Sequence, residues 1–280
     1  MAVLAFGDEA RAWARRYDDV EGELIIVDPS GASSAFLTAI ETKKRGEPVL
    51  AAIALDEPRS SLAWALGGMI LNAQRYRDER LQALEEIAQG RAVVDNRPQA
   101  TMSTVDPRAL ETLRDFARLA DVLVVRSWTE AHRLVRVLGV EPASVRRAVA
   151  PTPLDLPQPN ADARGLVIWA PELSAAQLPI LVFGLIDFHL PTTIVCKTGT
   201  FYDPAIPCRR PHDAAAVLAE AALVVDASLS DPHDAIELSR LGYRVVTPAT
   251  NGAQEYLAGL TPYLPWSHRS VRQAVASALG

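Results

Sequence analysis

The residues whose types and spacing could support chemistry gather between Ala221 and Leu257 of this 280-residue chain. A β-branched apolar run, Leu223 to Val225, gives way to a loop carrying Asp231 and Asp234. A helical pattern follows, with Glu237 facing inward and Gly242 as its stop. A second apolar run, Arg244 to Thr247, leads to Asn251-Gly252, which is expected to open another helix containing Glu255. A helix start of that kind offers backbone N–H groups and a positive dipole end, suited to a phosphate or a carboxylate. In the first half, Asp28 stands in the turn after Ile26-Val27, at the carboxyl end of a strand, where catalytic groups collect, although capping the helix that follows is the favoured role.

Other chemistries are disfavoured by what is missing. There is no Gly-x-Gly-x-x-Gly after a strand, no phosphate-binding loop of the P-loop type and no Gly-x-Ser-x-Gly elbow. The five histidines show no metal-ligand spacing, so no metal is expected. Two cysteines, Cys196 and Cys208, cannot build a disulfide framework and are expected to stay reduced.

Composition narrows the class further. Lys and Arg number 28 against 34 Asp and Glu, a net charge of −6, which argues against a general nucleic-acid binder. Apolar residues make up 49% and charged residues 22%, as in a chain that buries a core. No apolar run is long enough for a spanning helix, and Asp8 and Glu9 interrupt any secretory signal. A cytoplasmic, globular protein is expected.

The elements that must position these residues follow one grammar in both halves. Strands are expected at 3–6, 24–27, 48–55, 122–125, 166–169, 192–196, 223–225 and 244–247. Helices are expected at 9–16, 33–44, within 61–89, at 108–119, 129–138, 175–188, 212–222 and 234–241, with 92–104 undecided. Short apolar strands alternating with amphipathic helices imply parallel sheets covered on both faces. Four prolines between Pro151 and Pro159 break the chain in the middle. The expectation is therefore two Rossmann-like domains facing a cleft, residues 1–150 and 165–280, joined by a linker at 151–164.

The block from Ala221 to Leu257 resembles the carboxy-terminal domain of GT-B glycosyltransferases of the group 1, family 4-like class. There an acid lies on a helix five residues before a Gly, and a Gly-rich loop followed by Glu comes after the next strand. The run from Leu119 through Asp121, Ser127 and Glu130 to Gly139-Val140 resembles the end of that class's amino-terminal domain, and Leu24 to Pro58 its strand–helix–strand core. The resemblance implies a retaining transfer from a nucleotide-sugar donor to an acceptor held by the first domain, without metal or other cofactor. It puts Glu237 on the ribose hydroxyls, Asp231 as the nearest counterpart of the class's first acid, and the diphosphate at Asn251, Gly252 and Glu255. Asp28 falls on the acceptor side.

The departures are specific. Eight positions before Glu237 stands Leu229, not an acid, and Trp169 is followed by Ala170-Pro171-Glu172 where the class carries Arg and Lys. An unpaired Glu172 there would repel a diphosphate. Replacement bases are Lys197, within Cys196 to Thr200, and Arg209-Arg210, and Gly199 beside Lys197 is counted with the donor-binding positions. A second reading stays open: an inactive pseudo-glycosyltransferase retained as a binding or assembly subunit with a protein partner. A third is a sugar-phosphate enzyme such as an epimerase on the same fold. The arginines at 126, 133, 136, 146 and 147 read as a solvated helix face paired with Glu130 and Glu141, or as a patch for peripheral membrane contact. Ser127 and Glu130 read as a capping box.

Overall fold

The structure is a computed structural model that describes residues 2–14, 22–55, 106–148, 154–174, 178–198, 205–229, 231–265 and 267–280. The helices expected within 61–89, the undecided stretch at 92–104, residues 15–16 and 175–177, and Gly199 lie outside the described residues. The described residues of Met1–Glu57 and Met102–Thr152 form one compact unit, and those from Pro153 to Gly280 belong to another.

The first unit is built on a five-stranded parallel sheet in the order β1 (Ala2–Phe6), β2 (Glu23–Val27), β3 (Leu50–Ile53), β4 (Val122–Val125) and β5 (Val145–Arg147). The central strands are apolar throughout because both faces are covered. Ile25, Val27, Ala51 and Ile53 point into one core, with Leu113, Phe116 and Leu134. Leu24, Ile26, Leu50 and Ala52 point into the other, with Ala10 and Trp13. Each buried Leu or Ile contributes roughly 1.5–3 kcal/mol by leaving water. Around the sheet run α1 (Asp8–Ala14), α2 (Ala32–Lys44), α3 (Pro107–Leu119) and α4 (Trp128–Leu138). Their ends follow local chemistry. Asp106 caps α3 by accepting from the Arg108 N–H, with Pro107 at the first helical position. Ser127 caps α4, and Gly139 ends it at φ 64°, in the left-handed region.

The second unit carries a six-stranded parallel sheet ordered β11–β10–β9–β6–β7–β8. In chain order these are β6 (Gly165–Ser174), β7 (Thr192–Thr198), β8 (Cys208–Arg209), β9 (Ala221–Asp226), β10 (Val245–Pro248) and β11 (Thr261–Tyr263). Leu166, Ile168, Ile194, Leu223, Val225 and Val246 form its main core with Leu181 and Val275. The helices are α5 (Pro179–Leu185), α6 (Ala214–Leu218), α7 (His233–Arg240) and α8 (His268–Leu279). The helix expected over 212–222 is only five residues long, because Ala221 and Ala222 join β9 instead, Ala221 pairing with Gly165 of β6. Residues 154–160 have no regular structure but are anchored: the buried Tyr243 donates its hydroxyl proton to the Pro157 carbonyl at 2.7 Å.

Candidate functional site at the carboxyl edge of the second unit

In parallel α/β sheets ligands bind beyond the carboxyl ends of the strands, so these ends decide what the second unit can hold. β9 ends at Asp226, which has no solvent exposure. Its Oδ1 accepts the Ser228 N–H at 3.0 Å. Its Oδ2 accepts the Thr247 hydroxyl at 3.0 Å and the Asn251 amide at 2.9 Å. Its backbone carbonyl accepts the Tyr263 hydroxyl at 2.6 Å. Burial is the main reason the Asp226 carboxyl is pushed up to about 8, with the Asp234 charge adding to it and the hydrogen bonds opposing it. Burial likewise raises Tyr263, and the Asp226 charge adds to that.

The sequence did not single out Asp226 as a site residue. Its signal was an acid ending an apolar strand, where a parallel-sheet strand ordinarily stays apolar.

Asn251 is fully buried, and its carboxamide is committed to the protein. Besides Asp226 it reaches the Ser228 carbonyl at 2.9 Å and the Thr247 oxygen at 2.8 Å, while its Oδ1 accepts the Ala253 N–H at 3.0 Å. Thr250 adds a second tie, its hydroxyl donating to the Leu229 carbonyl at 2.7 Å. The loop after β9 and the loop after β10 are thereby bound into one body. The helix expected after Gly252 is a single 3₁₀ turn, Ala253–Glu255. Gly252 takes φ 76°, and the N–H groups of Ala253 and Glu255 are used by Asn251 Oδ1 and the Gly252 carbonyl. The dipole end expected there is consequently not formed: a turn this short sums few peptide dipoles. Glu255 is half-buried in that turn.

α7 lies against the 253–255 turn and carries Glu237. Glu237 is 6% exposed, and its Oε1 accepts from Arg240 Nη1 at 2.6 Å. Oε2 accepts no hydrogen bond among the described residues. Asp231, also buried, accepts the His233 N–H at 3.1 Å and so organises the start of α7. Asp234 takes the Trp169 indole N–H at 2.8 Å, which ties α7 to the neighbouring strand β6.

Beyond Trp169 the structure departs from the expected loop. β6 continues to Ser174, which pairs with Thr198 of β7 after a bulge, and Glu172 is exposed. Lys197 is exposed near the end of β7. Arg209 is exposed on β8, its Nη1 reaching the Cys208 carbonyl at 3.4 Å.

In the first unit, Asp28 is 3% exposed and clamps two turns. It accepts from the Ser30 N–H at 2.8 Å, the Ser30 hydroxyl at 2.6 Å, the Gly31 N–H at 3.2 Å and the Ala10 N–H at 3.3 Å. Its capping role is thus the one the structure displays. The arginine cluster is not a uniformly solvated face. Arg126 is 1% exposed, its guanidinium 3.4 Å from the Trp13 ring centroid and 2.7 Å from Glu130 Oε1. Glu130 Oε2 takes the Arg126 N–H, so the Glu of the capping box reaches one residue further back than usual. Arg136, Arg146 and Arg147 are exposed.

Cys196 and Cys208 are not joined in a disulfide. Among the described residues no group of three or more His, Cys, Asp or Glu side chains could hold a metal ion, and no helix is long and apolar enough to cross a membrane.

No family model and no curated protein matches the sequence. Solved structures do match. Sucrose-phosphate synthase from Thermosynechococcus elongatus aligns over 91% of this chain at 17% identity and a TM-score of 0.55. HepE from Anabaena, solved in complex with UDP and glucose, aligns over 91% at 12% identity and a TM-score of 0.54. TarM aligns over 94% at 13% identity and a TM-score of 0.51. The chain spans 64%, 68% and 48% of the lengths of those three proteins. Two parallel-sheet units and these neighbours agree on one architecture: the chain has two Rossmann-like domains of the GT-B glycosyltransferase fold.

Proposed function

We propose that the chain binds a nucleotide-sugar and transfers its sugar, with retention and without metal, to an acceptor on the first unit. The observation that carries this reading is Glu237, buried on the helix after β9 with one carboxylate oxygen fixed by Arg240 and the other available for ribose hydroxyls. The diphosphate would lie beside Gly252 and Glu255, with Lys197 or Arg209 supplying the charge that the short turn does not. Gly199, between them in sequence, belongs to the same proposal. Asn251 and Asp231 would hold the loops that meet the donor, and Asp28 would shape the acceptor-side turns. Support from outside the chain is a fold shared with a protein solved with UDP and glucose.

A second reading, an inactive glycosyltransferase-like binding or assembly subunit, is favoured by one observation. β6 continues as strand through the stretch where the class carries its phosphate-binding bases, and it presents Glu172 there.

Calorimetry with UDP and UDP-glucose, preceded by a thermal-shift panel of nucleotides, separates the two. Ligand at 100 times Kd stabilises by about 2.7 kcal/mol, which such a panel detects. Glu237→Gln keeps the shape and removes the charge, so nucleotide affinity falls about ten-fold or more, since charge-assisted bonds are worth roughly 1.5–3 kcal/mol each. The melting temperature moves little, because Arg240 is half-exposed and such pairs contribute only about 0–1 kcal/mol. Asp234→Asn, which weakens the Trp169 bond, lowers stability and leaves affinity alone. Wild-type protein that binds no nucleotide refutes the donor reading.

A further inference from the structure

Resting on the nucleotide reading above, the geometry points to Asp226 as a positioning residue: its buried carboxyl holds the loops after β9 and β10 in the one arrangement that receives the nucleotide. Three elements converge on this side chain and its backbone. Ser228 approaches from its own loop, Thr247 and Asn251 from β10 and the loop beyond, and Tyr263 from β11. Asn251 then relays the constraint to Ala253, whose N–H never touches Asp226.

The choice of an acid here needs a reason besides stability. A carboxyl removed entirely from water is unfavourable unless its hydrogen bonds are made, and an apolar residue of similar shape would fill the same space without that burden. Buried polar networks with every member engaged do one thing apolar packing does poorly: they fix one loop geometry among several. This network lies at the carboxyl edge of a central strand, beside α7 with Glu237. It is placed to set the backbone around Gly252 rather than to contact ligand itself. The titratable groups whose charges couple to it are Asp234 of α7 and Tyr263 of β11. Asp231 and His233 are buried at the start of the same helix. Ionising Asp226 would add a negative charge beneath loops that are meant to accept an anion.

Hydrogen exchange and calorimetry on the full chain test this, with UDP as probe. In Asp226→Ala without nucleotide, the Ala253 amide exchanges at least about ten-fold faster, while the Val224 amide inside the sheet is unchanged. UDP affinity falls about ten-fold in the same variant, and Asp226→Asn, which keeps the shape and one acceptor but turns an amide N–H toward Ser228 or Asn251, recovers part of it. Wild-type affinity weakens as pH rises through about 8, and Asp226→Asn shows no such inflection. Should Asp226→Ala not fold, Thr247→Val removes one donor and reads the same amide. An Ala253 amide equally protected in wild type and variant overturns the proposal, whether or not UDP binds. So does loosened exchange with unchanged UDP affinity and an unchanged pH profile. Wild-type protein that binds no nucleotide overturns the donor reading and, with it, the ligand-receiving part of the role; the exchange data then decide only whether Asp226 holds the loops.

Discussion

Glu130→Ala would be among the most damaging single changes to the first unit. Glu130 and Arg126 side chains are each 2% exposed. One carboxylate oxygen accepts the Arg126 N–H at 2.6 Å, and the other accepts Arg126 Nη2 at 2.7 Å. Arg126 cannot release its proton to escape the loss, because guanidinium stays charged in proteins. Removing the carboxylate therefore takes the Glu130 bonds away from a cation held in the interior against Trp13. Breaking one side of a buried pair costs about 3–5 kcal/mol. Total stability of a domain is only about 5–15 kcal/mol, so the loss is a large share. Urea denaturation followed by tryptophan fluorescence measures it as a lower midpoint with the slope unchanged. The double variant Arg126→Met, Glu130→Leu removes both charges and recovers most of the loss, within about 1–2 kcal/mol of wild type. A Glu130→Ala cost below about 1 kcal/mol, or a double variant no better than the single one, would refute the reasoning. Either result would mean that water reaches the pair.

Two further outcomes follow from close packing and from burial. Gly7 takes φ 103°, and a Cβ there would fall onto the Asp28 carboxylate, so Gly7→Ala costs at least about 2 kcal/mol in the same urea assay. Stability should fall as pH rises from about 4 toward 8, by at most about 1.4 kcal/mol per unit, and then level off. Folded Asp226 holds its proton up to about 8, whereas the unfolded chain releases it near the ordinary carboxylate value, so the folded state binds more protons across that window. Asp226→Asn removes this component of the slope, and denaturation at several pH values checks it.

The parallel sheets could be read from local pattern. Leu24 to Val27 and Leu223 to Val225 are apolar at successive positions because both faces of those strands are covered, and that needs no knowledge of partners. Helix ends were equally local: Ser127, Asp106 with Pro107, and Gly139 act within a few residues of themselves. Missed elements were short or weakly patterned, as with β5, β8 and β11. The last helix, α8, is not among the expected helices, although Ser267 caps it and Val271, Ala274 and Val275 repeat at helical spacing.

Residue types along the chain thus determined the long apolar strands and the amphipathic helices between them. Tertiary structure alone decided what each acid does. Arg126 and Asn251 read as surface or ligand-facing groups in sequence, yet both are buried, because elements apart in the chain bring Trp13 of α1 to one and Asp226 of β9 to the other. The same sheet order turns Asp234 toward Trp169 and leaves Glu237 with an oxygen to offer. Burial and hydrogen-bond partners depend on neighbours in space, and a one-dimensional pattern carries only neighbours in the chain.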